Sequence, residues 1–166
     1  MIKFEKVTFG QFKEAYKNLN TELTDEDIQW MYDDLQLPTR STAMSAGYDI
    51  RAPFAFELHS RETVLIPTGI RAFMPEDVIL KIYPRSGLGT KNRFIPTNLV
   101  GIVDADYVLS DNEGHIFMKM VNDGDKPVTI ERGKAFCQGI FQHYLITDDD
   151  DANGIRSGGF GSTDKK

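Results

Sequence analysis

The residues between 37 and 147 consist largely of short runs that favour β-strands, and this pattern constrains the fold more than any other feature. Each run is rich in β-branched or aromatic residues, and the runs recur at roughly 8–15-residue intervals separated by Gly, Pro, Asn or Asp. They span residues 50–56, 64–67, 70–73, 78–83, 117–121, 128–130 and 139–146. Helical periodicity is hard to find in this region, so the sequence predicts an all-β sandwich, barrel or jelly roll.

Residues 1–36 instead carry two amphipathic helical patterns. In the first, Phe12, Tyr16 and Leu19 follow the i, i+4, i+7 spacing that places them on one helical face. The second begins with Thr24 before three acidic residues, where the hydroxyl can cap the helix and the acids oppose its positive dipole end. Its apolar positions are Ile28, Met31, Tyr32 and Leu35. We expect both apolar faces to pack on the main domain, with a partner-binding or oligomer surface as the alternative.

The segment 148–166 differs again, because it opens with four consecutive Asp residues and continues with four glycines among residues 154–163. The acidic run is typical of a solvated linker, and the glycine-rich part is typical of a mobile terminus. The sequence therefore predicts one β domain at 37–147, a helical extension at 1–36 and a C-terminal arm at 148–166.

The composition excludes several function classes. A net charge of -6 argues against a protein that binds the backbone of a nucleic-acid polymer. Cys137 is the single cysteine, which excludes an internal disulfide and a cysteine-rich zinc site. No metal-ligand spacing links the three histidines, which are His59, His115 and His143. No apolar run could span a bilayer and no signal-peptide pattern opens the chain, so we expect a cytoplasmic protein without a membrane partner.

A pair of carboxylates follows a short apolar run. Asp104 and Asp106 come directly after Ile102 and Val103, and Tyr107 closes the run. A strand made of these apolar residues is expected to be buried, so acids at its end would lie where burial can perturb them. Both acids share one face if the strand continues, and they separate if the chain turns. On this local pattern alone, an ordinary acidic turn and a functional site are equally good interpretations.

Two segments carry groups suited to phosphate oxygens. Residues 84–89 read Pro-Arg-Ser-Gly-Leu-Gly and combine an Arg fork, a hydroxyl and backbone N–H groups that glycine makes accessible. Residues 156–163 repeat this chemistry and add Phe160, which could stack on a base. Neither segment is a Walker loop, since neither ends in Gly-Lys-Ser/Thr. Taken singly, the first segment could be an ordinary turn and the second a disordered terminus.

Five segments together resemble the ordered motifs of the trimeric dUTPase (deoxyuridine triphosphatase) family. They are residues 46–52, residues 84–89, residues 98–107, Arg132-Gly133 with Gln138, and residues 159–163. The resemblance covers residues 37–164, and five motifs in the right order are very hard to obtain by chance. The helical extension and an enlarged hairpin also resemble elaborations in the phage-encoded branch of the family.

The resemblance implies a jelly-roll (β-clip) subunit, a homotrimer whose active sites are shared between chains, and hydrolysis of dUTP to dUMP and pyrophosphate. Asp104 would orient and deprotonate the water that attacks the α-phosphorus. The α- and β-phosphates would be held by Arg85, Ser86, Gly87 and Gln138. Mg²⁺ would be bound chiefly by phosphate oxygens and water, and Asp49 would either hold a metal-bound water or only brace its loop.

The resemblance also implies how the nucleoside is recognised. Uracil would meet the hairpin backbone and one side-chain amide, at Gly101, Ile102, Val103 and Asn98. Cytosine reverses one donor and one acceptor on this edge and would leave buried groups unpaired. Tyr107 would lie under the sugar and crowd a 2′-hydroxyl. The C-terminal arm would close over the site, with Phe160 on the uracil and the γ-phosphate near Arg156, Gly161, Ser162 and Thr163.

Three departures from the family pattern are visible. Residues 108–113 lengthen the hairpin by five residues, and Ile116 and Phe117 beyond it are further candidate pocket residues. Ala135 stands where an Arg is usual, and Arg156 lies one residue closer to the aromatic residue of the arm than is usual.

Two rival interpretations stay open. One is a dCTP deaminase on the same fold, although that reaction favours a glutamate base and this chain offers Asp104. The other is a dUTP-sensing protein that binds a protein partner, as a second role, through the insert 108–113 or the helices of residues 1–36.

Overall fold

The protein was analysed as a computed structural model that describes residues 1–19, 22–154 and 156. The strands, numbered β1 to β12 in chain order, are Lys3–Lys6, Thr39–Arg40, Tyr48–Arg51, Phe56–Leu58, Thr63–Pro67, Ile70–Phe73, Val78–Pro84, Phe94–Pro96, Gly101–Val103, Phe117–Asn122, Val128–Ile130 and Ala135–His143. The helices α1 to α3 are Phe9–Leu19, Asp25–Asp33 and Ser86–Asn92, and a 3₁₀ helix spans Ala105–Leu109. The all-β prediction for the main domain is confirmed.

A five-stranded sheet in the order β2-β3-β12-β7-β9 organises the main domain. Three smaller sheets, β5-β10-β8, β11-β4 and β1-β6, complete it. The inward-facing residues of these strands form one apolar core in which Ile66, Leu80, Ile82 and Phe136 are fully buried. In β7 the buried residues alternate with partly exposed ones, as the pleat requires of a strand with one face on the core. Within the described part of the chain, no helix is both long and apolar enough to cross a membrane.

The N-terminal helices pack on this domain, as expected. Phe12, Tyr16, Ile28 and Met31 form a second apolar cluster that also contacts Phe54. The Tyr16 hydroxyl donates a hydrogen bond to a backbone carbonyl of β5 at 2.8 Å. The predicted cap of α2 is also present: the Thr24 hydroxyl accepts the N–H of Asp27, and the Asp27 carboxylate accepts the N–H of Thr24. Such a reciprocal cap satisfies two backbone donors that the helix leaves unpaired.

Several details differ from the sequence-based expectations. Strand β1 was not predicted; it pairs antiparallel with β6 and so ties the N-terminal extension into the main domain. Leu19 was predicted on the buried face of α1 but is 43% exposed, because it is the last residue of that helix. The strand predicted at residues 139–146 begins and ends later in the sequence than the observed strand, because β12 spans Ala135–His143 and Leu145 is exposed.

Candidate active site

Three neighbouring strands place Asp49, Arg85 and Gln138 at one end of the five-stranded sheet. β12 lies between β3 and β7, and Gln138 is opposite Asp49 on one side and Tyr83 on the other. Arg85 follows Tyr83 by two residues, immediately after β7 ends. The Gln138 side-chain amide donates to the carbonyl of Pro84 at 3.2 Å, which holds it beside the start of α3. Residues from three separate motifs of the sequence therefore meet here.

Asp49 orients the guanidinium of Arg85. Its carboxylate Oδ2 accepts hydrogen bonds from Arg85 Nη1 at 2.8 Å and from the Ser41 hydroxyl at 2.9 Å. Asp49 is buried, whereas the Arg85 side chain is 41% exposed. The pair thus presents a fixed cation to solvent. Ser41 was not predicted, since a lone serine near a strand carries no signal in the sequence.

Ser86 and Gly87 lie in the first turn of α3. An ordinary turn at 84–89 was one of the two interpretations of this segment, but the chain forms a short helix whose N-cap residue is Arg85. N–H groups in the first turn of a helix have no acceptor within the helix, so they can bind phosphate oxygens. Apart from its chain neighbours and the backbone of α3, no atom of the described residues lies within 4 Å of the place where a Cβ of Gly87 would be, so this face is open among them.

A cavity of about 420 Å³ lies beneath the hairpin that contains β9. It is lined by the predicted residues Asn98, Gly101 and Val103, together with Leu65, Ile82, Thr97, Phe117, Met118 and Lys119. Mostly apolar walls with a few polar groups are typical of sites for small organic ligands. Ile102 faces away from the cavity on the opposite side of the strand and is 43% exposed. Of the further candidate pocket residues Ile116 and Phe117, Phe117 lines the cavity.

Asp104 and Asp106 bind the same guanidinium. Arg156 donates from Nη2 to Asp104 Oδ2 at 2.5 Å and from Nε to Asp106 Oδ1 at 2.8 Å. The chain turns after β9 into the 3₁₀ helix, and the Asp104 side chain is 48% exposed. The expectation that these acids lie in a buried position is therefore wrong for the single chain. Asp106 helps to hold a residue of the C-terminal arm.

Tyr107 is fixed at its hydroxyl group. The hydroxyl donates to the carbonyl of His115 at 2.9 Å and accepts a hydrogen bond from Asn112 at 2.9 Å. Burial raises the pKa of Tyr107, while the hydrogen bond from Asn112 and the charge of Arg156 oppose that rise. The Arg156 guanidinium lies 5.7 Å from the ring centroid, on the ring expected to carry the sugar. Sequence reasoning missed Asn112 because the family motifs offer no counterpart for an inserted residue.

Within one chain, the residues around Arg85 and the residues around Asp104 lie at opposite ends of β7. β9 pairs antiparallel with β7 so that Val103 is opposite Leu80, which places Asp104 level with Ile79. Arg85 is six residues further along, or about 20 Å at roughly 3.3 Å per residue. The Asp104 carboxylate and the Arg85 guanidinium of one chain therefore cannot act on the same phosphate group.

The remaining predicted site residues Phe160, Gly161, Ser162 and Thr163 lie outside the described residues. Among residues 1–19, 22–154 and 156, no group of three His, Cys, Asp or Glu side chains could hold a metal ion.

Comparison with known proteins identifies the family. The family model described as dUTPase matches residues 33–164. The chain belongs to the dUTPase family. A deoxyuridine 5′-triphosphate nucleotidohydrolase of Lactococcus lactis is 43% identical over 132 residues, which are 78% of this chain and 88% of that protein. A relative with the same name from Glaesserella parasuis is 34% identical over 160 residues, covering 90% of this chain and 99% of its own length.

Solved dUTPase structures share the fold. The dUTPase of Streptococcus mutans superimposes with a TM-score of 0.64 at 35% identity, covering 87% of this chain and 98% of that one. The dUTPase of Staphylococcus bacteriophage 80alpha superimposes with a TM-score of 0.65 at 15% identity, covering 95% and 99%. The prediction of a dUTPase-like jelly roll with an N-terminal helical appendage is thus confirmed.

Proposed function

We propose that this dUTPase-family chain hydrolyses dUTP to dUMP and pyrophosphate. The observation that carries the proposal is the cavity lined by Gly101 and Val103, the residue directly before Asp104, in a chain that matches the family over residues 33–164. The cavity accepts the pyrimidine, and Asp104 directly follows the strand that lines it. A nucleoside held there has its phosphates directed towards a carboxylate that is open to water.

The proposed reaction is an attack of water on the α-phosphorus. Asp104 accepts the proton of the water as the new P–O bond forms, and the bond between the α-phosphorus and the α–β bridging oxygen breaks. Pyrophosphate leaves with the electron pair of that bond. Because an ordinary carboxylate is a weak base, positioning of the water has to supply much of the acceleration. Arg85, Ser86 and Gly87 bind the α- and β-phosphates through the fork and the first-turn N–H groups, and Gln138 assists beside them.

Mg²⁺ is the proposed cofactor. The donor set near Arg85 contains one buried carboxylate, Asp49, and this fits an ion that is held mainly by substrate phosphates and water. When bound to the triphosphate, the ion supplies charge neutralisation. Chelation with EDTA should lower turnover, and excess Mg²⁺ should restore it.

The best test of the reaction is pyrophosphate release from dUTP by the wild type and by Asp104→Asn. The variant keeps the size of the side chain but cannot accept the proton, so turnover should fall by at least about 100-fold. In ¹⁸O-labelled water the label should appear in dUMP. An inactive wild type, an unaffected variant or label in pyrophosphate would each contradict the proposal. With dCTP no ammonia should form, whereas ammonia release would indicate the deaminase alternative.

We also propose that the active site is completed by other subunits of a homotrimer. This is supported by the separation of about 20 Å between Arg85 and Asp104 within one chain. Arg85→Ala and Asp104→Asn should each be inactive alone. Co-expressed, they form mixed trimers in which an intact Arg85 of one chain meets an intact Asp104 of another, so part of the activity should return. Mixed trimers without activity would show that the two residues act within one chain.

A second, regulatory role is favoured by one observation. Leu109 lies in the turn that follows Asp104 and is 73% exposed, so a protein bound there would contact the segment that also carries the active-site acid. Phage dUTPases with this fold, including that of Staphylococcus bacteriophage 80alpha, control transfer of virulence genes. If such a partner acts on this chain, Leu109→Glu should weaken binding of the purified partner while pyrophosphate release continues.

A further inference from the structure

The inserted residue Asn112 binds the active-site tyrosine from inside the hairpin. Its side-chain amide donates to the Tyr107 hydroxyl at 2.9 Å and to the carbonyl of His115 at 3.3 Å. Its Oδ1 accepts the N–H of Gly114 at 3.1 Å, which fixes the orientation of the amide. The Tyr107 hydroxyl in turn donates to the carbonyl of His115 at 2.9 Å. The phenol oxygen is thus positioned by a donor and an acceptor that both come from the segment after the 3₁₀ helix.

The next inserted residue, Glu113, fixes this segment on the N-terminal extension. Its carboxylate accepts the backbone N–H of Thr8 at 2.8 Å and the Thr8 hydroxyl at 2.6 Å, at the start of α1. Arg71 of β6 lies 3.7 Å from the same carboxylate. Burial opposes ionisation of Glu113, but the hydrogen bonds from Thr8 and the charge of Arg71 lower its pKa overall.

The backbone of Glu113 adopts a conformation that the fold has to enforce. Its φ is 59°, in the left-handed region that a residue with a side chain rarely occupies, and Gly114 follows with φ of 73°. A strained residue of this kind persists only where the surroundings over-determine it, and such residues cluster at functional sites. Here the two left-handed residues turn the chain so that Asn112 faces Tyr107 while Glu113 faces helix α1.

We propose that Asn112 is a positioning residue that fixes Tyr107 for deoxyribose recognition, and that Glu113 anchors it to helix α1. The inference rests on the proposed function, in which the Tyr107 ring lies under the sugar. Discrimination against a 2′-hydroxyl requires that the ring cannot retreat from the sugar, because a gap would admit the extra oxygen. The hydrogen bond from Asn112 removes the freedom of the phenol oxygen to shift.

The test compares sugar discrimination in Asn112→Ala and Asn112→Asp with that in the wild type. Binding of α,β-imido-dUTP is measured by calorimetry, and binding of α,β-imido-UTP by competition. The Asp variant keeps the acceptor for Gly114 but loses the donor to Tyr107, so the hairpin turn is preserved if the Ala variant does not fold. Loss of one hydrogen bond should reduce the preference for the deoxy analogue by about fivefold. The exposed neighbour Asp111→Ala should keep the wild-type preference.

The anchoring part is tested with a matched pair of acids. Glu113→Ala should lower the same preference, to a smaller extent, because the carboxylate acts through the segment. Glu14→Ala removes an exposed acid from the same helix and should leave the preference unchanged. A wild-type preference in Glu113→Ala would overturn the anchoring role. A wild-type preference in the folded Asn112 variants, even with lowered melting temperatures, would show a purely structural role and overturn the proposal. If the wild type releases no pyrophosphate from dUTP, the failure lies instead with the proposed function.

Discussion

Replacing His115 with Gln should remove much of the acid sensitivity of folding between pH 7 and pH 5. The imidazole is fully buried at 0% exposure, and its Nε2 accepts the N–H of Gly69 at 2.8 Å. That hydrogen bond requires the neutral tautomer with its proton on Nδ1. Burial lowers the pKa of His115 from 6.5 to about 4, although the nearby charge of Glu113 acts in the opposite direction.

The sign and the size of the effect follow from proton binding. Between pH 6.5 and pH 4 the unfolded chain binds a proton at His115 and the folded chain does not. Acid therefore favours the unfolded state, and the stability present above pH 6.5 is lost as the pH falls through this window. At about 1.4 kcal/mol per pH unit, the free energy of unfolding should fall by about 2 kcal/mol per chain between pH 7 and pH 5. The total loss approaches about 3 kcal/mol near pH 4.

Urea denaturation at several pH values measures this slope. The protein concentration has to be held constant, because unfolding of the proposed trimer would depend on it. In His115→Gln the amide oxygen can accept the Gly69 N–H but takes up no proton in this range, so the stability should vary less with pH by the amounts above. His59→Gln removes a histidine whose side chain is 65% exposed and should keep the wild-type slope. Equal slopes for the wild type and His115→Gln would refute the reasoning.

Three further predictions concern stability and reactivity. Gly114→Ala should lower the free energy of unfolding by about 3 kcal/mol or more, because the φ of Gly114 is 73° and a Cβ would lie 2.6 Å from a backbone atom. Gly133 has a similar φ of 76° but open space around it, so Gly133→Ala should lower the same free energy by only about 1 kcal/mol. Chemical denaturation measures both values. The thiol of Cys137 is buried, and burial raises its pKa. It should therefore react with Ellman's reagent at least about 100-fold more slowly in the folded than in the unfolded protein. Fast labelling without denaturant would contradict this. The guanidinium of Arg132 lies 3.4 Å from the ring centroid of Trp30, the single tryptophan. Arg132→Ala should therefore lower the free energy of unfolding by about 1 kcal/mol and shift the tryptophan emission to the red. Unchanged emission would argue against the stacked pair.

The sequence predicts those elements whose stability is local. Helix α2 could be located because Thr24 accepts a backbone N–H of the first turn and the acids that follow it oppose the positive end of the helix dipole. These interactions lie within four residues of one another. Strand β7 could be located from its own run of β-branched, aliphatic and aromatic residues between Val78 and Tyr83. Strand β1 could not, because its short sequence contains two lysines and a glutamate, and it becomes a strand only by pairing with β6. Helix α3 was missed because its two glycines disfavour a helix in isolation.

In the candidate site, too, the sequence predicts local features but not those that depend on how strands pair. The motif residues could be found from their type and order, since an Arg fork, glycines and a carboxylate after a strand are readable one by one. Their arrangement could not, because the distance between Arg85 and Asp104 depends on the antiparallel register of β9 on β7. The role of Asn112 depends on left-handed backbone at Glu113, a conformation that no residue type in the insert requires.

The length of the 108–113 insert has a physical explanation in the N-terminal extension. A hairpin without the insert would lack Glu113, so the start of helix α1 would lose the carboxylate that binds the Thr8 N–H and hydroxyl. Without the extension, the Glu113 carboxylate would lose both of these donors and its left-handed backbone would lose the contact that helps to enforce it. Each element thus satisfies polar groups of the other, and the contact lies only a few residues from the turn that carries Asp104. If Glu113 anchors the insert as proposed, a change that loosens helix α1 should act on Tyr107 through the insert, although that helix contributes no residue to the candidate site.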